Sequence, residues 1–258
     1  MTATFLLEIG TEELPADFVR QALDQLQQRV SRDLREARLG HGAVSVFGTP
    51  RRLVVSVADL EDRQPDLEED RKGPPVAQAF KDGIPGPAAI GFAKRCGVDP
   101  SALEQRDTPK GPCVFATVLT PGQACVELLQ GLIPQWIDAL QGRRFMRWGT
   151  GAQRFSRPIR WLLALKGSEV IPVVLGGADP EVRSDRFSRA HRLHGDEPLS
   201  IASAEQFGET LAAAGVVVDR AERAKRIRTS LDQSAQAANG TPDLSLIHIS
   251  EPTRRTSI

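Results

Sequence analysis

Polar and apolar residues along this chain fall into strand-like and helix-like periods almost from its start. Phe5 to Ile9 is a short apolar run closed by Gly10-Thr11, and it predicts a strand. Leu14-Pro15 then opens a stretch in which Val19, Ala22, Leu23, Leu26, Val30 and Leu34 recur at the spacing of one helix face. Gly40 stands where a C-terminal cap belongs. Val44 to Phe47 and Leu53 to Ala58 read as two strands joined by Gly48-Thr49-Pro50-Arg51, with Leu53, Val55 and Val57 sharing one face. Such a βαββ opening predicts an α+β fold with mixed, mainly antiparallel sheets and packed helices.

The pattern then lapses. Asp59 to Asp70 is strongly acidic and Lys72 to Pro87 is crowded with proline and glycine, so residues 61–90 read as a boundary or a surface excursion. A helix restarts near Ala88 and ends by Gly97, and Val114 to Leu119 reads as a strand. A second long helix is expected from Gln123 to Gln141, with Val126, Leu129, Ile133, Trp136 and Leu140 inward and a kink at Pro134. Ile159 to Leu165 and Val170 to Leu175 are strand-like, and Ile159, Trp161 and Leu163 are expected inward with Arg160 on the opposite face. Ser203-Ala204-Glu205-Gln206 has the form of a capping box, Gly215 would close the helix it starts, and a last amphipathic helix begins near Asp219. No internal repeat is visible.

These signals divide the chain into a βαββ unit (1–60), the boundary or excursion (61–90), an α+β region (91–200) and the helical start of a further region (201–243). From Leu244 to Arg254 the sequence reads as the translation of a sequencing adapter, so residues 244–258 are expected to be a non-native tail outside any domain.

Overall charge adds nothing about partners, because 33 basic residues balance 33 acidic ones. No apolar run approaches the ~20 residues that span a bilayer. The first residues lack the basic and apolar regions of a signal peptide. Cys96, Cys113 and Cys125 are odd in number and form no CxxC pair, which argues against a disulfide framework and a zinc site. A cytoplasmic protein without membrane association is expected.

Candidate chemistry is sparse. No GxxxxGK[ST] loop and no GxGxxG between strand and helix is present, and the ATP-binding signatures of neither synthetase class are visible. His191 and His194 lie three apart but have no third ligand nearby and have arginine neighbours, so no metal is expected. Glu8, Glu12 and Glu13 flank Gly10-Thr11 without a partner nucleophile, and a helix-capping role is expected for them rather than acid/base catalysis. No catalytic residue is assigned.

One local signal stands out. From Ala139 to Ser168 there is no acidic residue, while Arg143, Arg144, Arg147, Arg154, Arg157 and Arg160 are interleaved with Phe145, Trp148, Phe155 and Trp161. Arg189 and Arg192 belong to a second basic cluster further on. Guanidinium groups grip phosphate oxygens in a bidentate fork, and both they and aromatic rings stack on bases, so these eight arginines are the candidate RNA contacts. Arg144 and Arg147 would share a face were their segment helical. The alternative is a strand whose arginines meet acids elsewhere in the chain.

The block from Leu6 to Ala16, containing Glu8, Gly10, Thr11, Glu12, Glu13 and Pro15, closely resembles the opening of bacterial-type glycyl-tRNA synthetase β subunits. The resemblance continues in order through Phe47 to Leu53 with Arg51 and Arg52, Lys72 to Pro75, Ala89 to Ala93, Met146 to Gly149 with Trp148, and Phe155 to Trp161. It covers residues 3 to about 228. It implies the N-terminal part of a larger multidomain chain, in a heterotetramer of two α and two β subunits that charges tRNA(Gly) with glycine. ATP with magnesium would be used on the α subunit, and no cofactor is expected here. The β subunit would handle tRNA and pair with α and a second β. The family's Gly-His-Arg-Phe element reads here as Ala190-His191-Arg192-Leu193. The helical middle and anticodon-binding domains would lie beyond this chain, which alone is expected to be inactive. A free-standing RNA-binding module and a purely structural docking piece are the competing readings.

Overall fold

The computed structural model describes residues 2–81, 83–109, 111–191, 193, 195 and 197–242. Its centre is β1 (Thr2–Thr11), flanked on both sides by antiparallel neighbours: β3 (Arg52–Glu61) and the strand Ile159–Lys166. β2 (Val44–Thr49) extends the sheet beyond β3, and Val182–Asp185 pairs parallel with Ile159–Lys166 at the other side. Five of the six pairings within this seven-stranded sheet are antiparallel.

Both faces of β1 are buried, and alternation sorts its residues between two cores. Phe5, Leu7 and Ile9 face α1 (Ala16–Glu36) and the helix Cys125–Asp138. On α1, Phe18, Ala22, Leu26, Val30 and Leu34 recur every fourth residue and are all buried. Trp136 is fully buried and its indole nitrogen donates to Asp33 on α1 at 2.9 Å. The helix runs through Pro134 to Asp138. Leu6 lies on the other face with Val54, Leu163 and Leu165, under a layer that includes Ile201, Phe207, Leu211 and Val218.

This second layer explains why Ile159–Lys166 does not alternate as expected. Every residue in it except Arg160 is buried, since both of its faces have a cover. Ile159 joins the first core while Leu163 and Leu165 join the second, and the register shifts between Gly10 and Thr11.

The acidic, proline-rich stretch is an excursion that carries its own core. The chain leaves the body at Asp62 and returns at Cys125, where the Cys125 amide donates to the Asp62 carbonyl at 2.8 Å. In between, β4 (Leu67–Pro75) pairs with Cys113–Thr120, which pairs with Glu104–Arg106. The helix Pro87–Cys96 packs Ala89, Phe92 and Cys96 onto Val114 and Ala116. β4 is almost wholly exposed and charged, so it has no apolar period by which it could be read; its backbone pairing makes it a strand.

Other expectations shift in detail. α1 ends before Gly40: Ala37 is its cap and Arg38 takes the left-handed conformation, with φ 53°. Gly40 instead lies against the Glu61 side chain. Pro172 interrupts the segment 170–175, leaving two-residue strands at Glu169–Val170 and Val174–Leu175. The helix after Ser203 begins only at Phe207, without a side-chain cap on Gln206, and Glu205 accepts from the Thr4 amide instead. Gly215 does end it, with φ 79°. The last helix, Arg220–Ala237, is capped by the Asp219 carboxylate, and none of its residues is buried. No described helix is long and apolar enough to cross a membrane. Residues 244–258 lie outside the described residues.

Candidate nucleic-acid interface

Gly10 sits in β1 directly opposite Arg52 on one side and Trp161 on the other. All three therefore point to the same face of the sheet, which also carries Glu8. The Trp161 ring lies flat over Gly10: a Cβ built there would come within 1.8 Å of the indole. Arg52 and Arg51 stand over the same ring, at 5.7 and 6.0 Å from its centre.

Beneath them Glu8 is completely buried and pairs with Arg52 at 3.2 Å. Arg52 also donates to the Ser188 hydroxyl at 3.4 Å and to the Arg189 carbonyl at 2.9 Å, so it ties the sheet to the strand Phe187–Arg189. Burial pushes the Glu8 carboxyl above its usual range; the Arg52 charge, and then Ser188 and Trp161, oppose that rise. The loops around the pair are laced by backbone bonds. The amides of Thr11 and Leu14 donate to the carbonyls of Arg51 and Pro50, and that of Glu12 to the Pro158 carbonyl.

This arrangement corrects the capping role expected of the glutamates. Glu8 is a buried mid-strand carboxyl paired with Arg52, and Glu12 accepts from Arg160 at 2.7 Å with Arg51 at 3.8 Å. Pro15, at the start of α1, has no side-chain cap, and Asp17 supplies the acid in the first turn. Glu13 borders a cavity of about 320 Å3 with Arg51, His191 and Arg223. Among the described residues no group of His, Cys, Asp and Glu is gathered as a metal site, and His194 lies outside them.

The candidate arginines separate into two groups. Arg160 is the one paired with Glu12, Arg157 donates to the neighbouring Ser156 carbonyl at 2.9 Å, and Arg189 lends its carbonyl to Arg52. Arg192 lies outside the described residues. The other four cluster elsewhere. Arg143 and Arg144 precede a hairpin in which Met146–Arg147 pairs with Arg154–Phe155. The segment is a hairpin and not a helix, so Arg144 and Arg147 do not share a helical face.

In that hairpin Arg147 lies directly opposite Arg154, both exposed. Like charges in that position repel, and neither guanidinium has an acidic partner among the described residues. Arg143, Arg144 and Arg154 line an open cleft of about 810 Å3. The one acid on its wall, Asp138, already accepts from Gln153 at 2.8 Å.

Of the interleaved aromatics, Phe155 and Trp161 are buried and Phe145 and Trp148 half-buried. Phe145 and Phe155 pack edge-on against Phe18 of α1, at 5.4 and 5.7 Å between ring centres. Trp161 is buried over Gly10, and the Trp148 indole donates to the Phe155 carbonyl at 3.1 Å. They anchor the hairpin to the core and leave its arginines outside.

Two supporting residues had no warning in the sequence. Asp179 accepts from the Thr150 amide at 2.6 Å and its hydroxyl at 2.8 Å, which pins the hairpin loop. Those bonds hold its carboxyl below the usual range. Gly176-Gly177 and Pro180 around it signal a turn, but not its partner. Ser188, fully buried beside Glu8, is a small polar residue between arginines and carries no pattern.

A family described as glycyl-tRNA synthetase beta subunit matches residues 5–251. The glycine–tRNA ligase beta subunit of Trichodesmium erythraeum is 43% identical over 98% of this chain and 35% of its own length. That of Synechocystis sp. is 46% identical over 92% of this chain and 33% of its own. The Yersinia pestis protein of the same name is 38% identical over 94% of this chain and 35% of its own. The chain thus spans about a third of the length of the curated relatives it matches.

Proposed function

The chain belongs to the glycyl-tRNA synthetase beta subunit family, and from that membership we propose that it contributes tRNA(Gly) binding and assembly with the α subunit to ATP-dependent glycyl-tRNA formation in the cytoplasm. In this reading ATP with magnesium is used on the α subunit, a second β subunit completes the assembly, and this chain supplies binding surface rather than reacting groups.

The observation that carries the RNA part is the hairpin pair Arg147 and Arg154. Two exposed arginines paired across the hairpin, neither with an acidic partner among the described residues, repel one another, and Arg154 Nη2 donates only to the Phe145 carbonyl, at 3.5 Å. A phosphate between or beside them turns that repulsion into two charge-assisted hydrogen bonds. Arg143 and Arg144 extend the same positive surface along the cleft.

The test is the salt dependence of tRNA binding by the purified chain carrying Arg143→Glu, Arg144→Glu and Arg154→Glu. Removing one arginine–phosphate pair lowers the log–log slope by about 0.7–0.9. Exposed substitutions of this kind leave stability within about 0.5 kcal/mol. A folded triple variant with an unchanged slope would remove the RNA reading. Retained capture of an α subunit by the same variant would then leave the docking role.

A further inference from the structure

The last helix, Arg220–Ala237, stands apart from the rest of the chain. It is 18 residues long and none of them is buried, whereas the other long helices each bury a face. Among the described residues its side chains bond the body through Arg223 alone. That guanidinium donates to the carbonyls of Val217 at 2.7 Å, Val218 at 2.9 Å and Gly48 at 3.1 Å, so it ties the first turn to β2 and to the connector before the helix. From Ala224 onward the helix is exposed, with Ala235 half-buried.

A helix exposed on all sides is held by many i,i+4 pairs, is unstable, or bridges two domains. The first fails here, since Glu222–Arg226 is its one i,i+4 ion pair among the described residues. Thr229, Ser230, Asp232 and Ser234 are weak helix formers, so packing of a face has to supply the stability that propensity does not. One face is suited to it. Ala224, Ile227, Leu231 and Ala235 recur at spacings of three and four and form a stripe, with Ile227 59% and Leu231 39% exposed. The size of the stripe selects its partner. A stable interface between free proteins takes about 20–30 residues a side, far more than two large apolar side chains offer. A partner joined through the backbone meets the stripe at an effective concentration on the order of millimolar, and for it a small contact suffices. The family match takes in this helix, and the chain spans about a third of its relatives' length, so about two thirds of the subunit lies outside it.

We infer that the helix Arg220–Ala237 is a docking arm, held at its root by Arg223, whose Ile227–Leu231 stripe packs against the part of the full-length subunit outside this chain. Arg220 and Arg228 border the stripe, so the receiving surface is apolar with acidic edges. The inference rests on family membership and not on RNA binding, so failure of the RNA reading leaves it standing.

Amide hydrogen exchange tests it in two proteins: this chain, and the full-length Synechocystis sp. relative without an α subunit or tRNA. The helix should exchange fast in this chain at every protein concentration. At the aligned positions of the full-length relative it should exchange at least about tenfold more slowly. Glutamine at the positions aligned with Ile227 and Leu231 should abolish that slowing and leave the amides of the central strand protected, because glutamine keeps the helix propensity and removes only the apolar face. The same pair in this chain, Ile227→Gln/Leu231→Gln, should leave its melting temperature unchanged, since the stripe is uncovered here. Equally fast exchange in the full-length protein overturns the arm, and slowing that survives the glutamine pair overturns the stripe as its contact. Slowing that appears only on adding an α subunit or tRNA assigns the helix to that partner and overturns the inference. Slowing in this chain that grows with its concentration does the same in favour of a second copy.

Discussion

Two sets of arginines in this chain meet opposite fates. Arg52 is buried, paired with Glu8 and spread over Trp161, and it fastens the central sheet to the layer above it. Arg143, Arg144, Arg147 and Arg154 stand in solvent, two of them facing each other with no acid to relieve them. In sequence the two sets look alike, since each lies in an arginine-aromatic motif. What separates them is the cover: strand β3 is buried on both faces, whereas the hairpin has one aromatic side on the core and one bare side. Arginine in the first setting serves folding, and in the second it is available for a ligand.

The strongest way to break this contrast is to remove Arg52. Arg52→Ala strands the Glu8 carboxylate in a site with no access to water, and breaking a buried pair from one side costs about 3–5 kcal/mol. Urea denaturation should show that loss at neutral pH. The pH dependence has a definite sign. Burial raises the folded-state value of Glu8 above the ordinary 4.5, so its contribution to stability is complete below the ordinary value and is lost as pH rises through the raised one. The penalty of Arg52→Ala should therefore shrink on acidification, when the carboxyl is neutral and needs no cation. A penalty below about 1 kcal/mol at neutral pH would mean that the pair is as dispensable as a surface bridge.

Gly10→Ala comes next. The added Cβ collides with a ring held from above by two arginines and from the sides by strand pairing. Overpacking of this kind costs about 1–3 kcal/mol. The sharper version is the double variant Gly10→Ala/Trp161→Leu, which relieves the collision and should be more stable than the sum of its parts. Strict additivity in a double-mutant cycle would show that the ring has somewhere else to go.

How much of this was legible in the sequence follows the same division. Periodicity located β1, α1, β2, β3 and the helix around Trp136, because each has a face that repels water. It failed at β4, which is polar on both sides, and it assigned one inward face to Ile159–Lys166, which has two. A second covering layer assembled from residues between Leu199 and Val218 cannot be seen in the strand it covers. For the site, the acid-free run drew attention to residues 139–168, but charge alone could not say that Arg160 would meet Glu12 across 148 positions. Nor could it show that Phe155 and Trp161 would turn inward. Those outcomes depend on which strands become neighbours, and only the tertiary pairing decides that.

The smallest expected effect lies in the hairpin loop, and it tests whether the exposed arginines are held in place or merely tethered. Asp179 reaches across from the segment before Val182 and binds both the amide and the hydroxyl of Thr150. The loop it pins joins the two strands that set Arg147 opposite Arg154. Those two hydrogen bonds favour the ionised carboxylate and depress its pKa, so the contribution is present above the ordinary carboxylate value and is lost as pH falls through the depressed one. Asp179→Asn keeps the shape but removes the charge. At neutral pH the variant should melt slightly lower than the unmodified chain and exchange the Thr150 amide faster. The gap should close as pH drops through the carboxylate range, since the unmodified protein then loses the same interaction. RNA affinity at neutral pH should fall by less than the cleft substitutions cost, because the arginines remain and only their mutual placement loosens. A gap that stays constant with pH would show that the loop is held by the chain around it, with the carboxylate as a passenger.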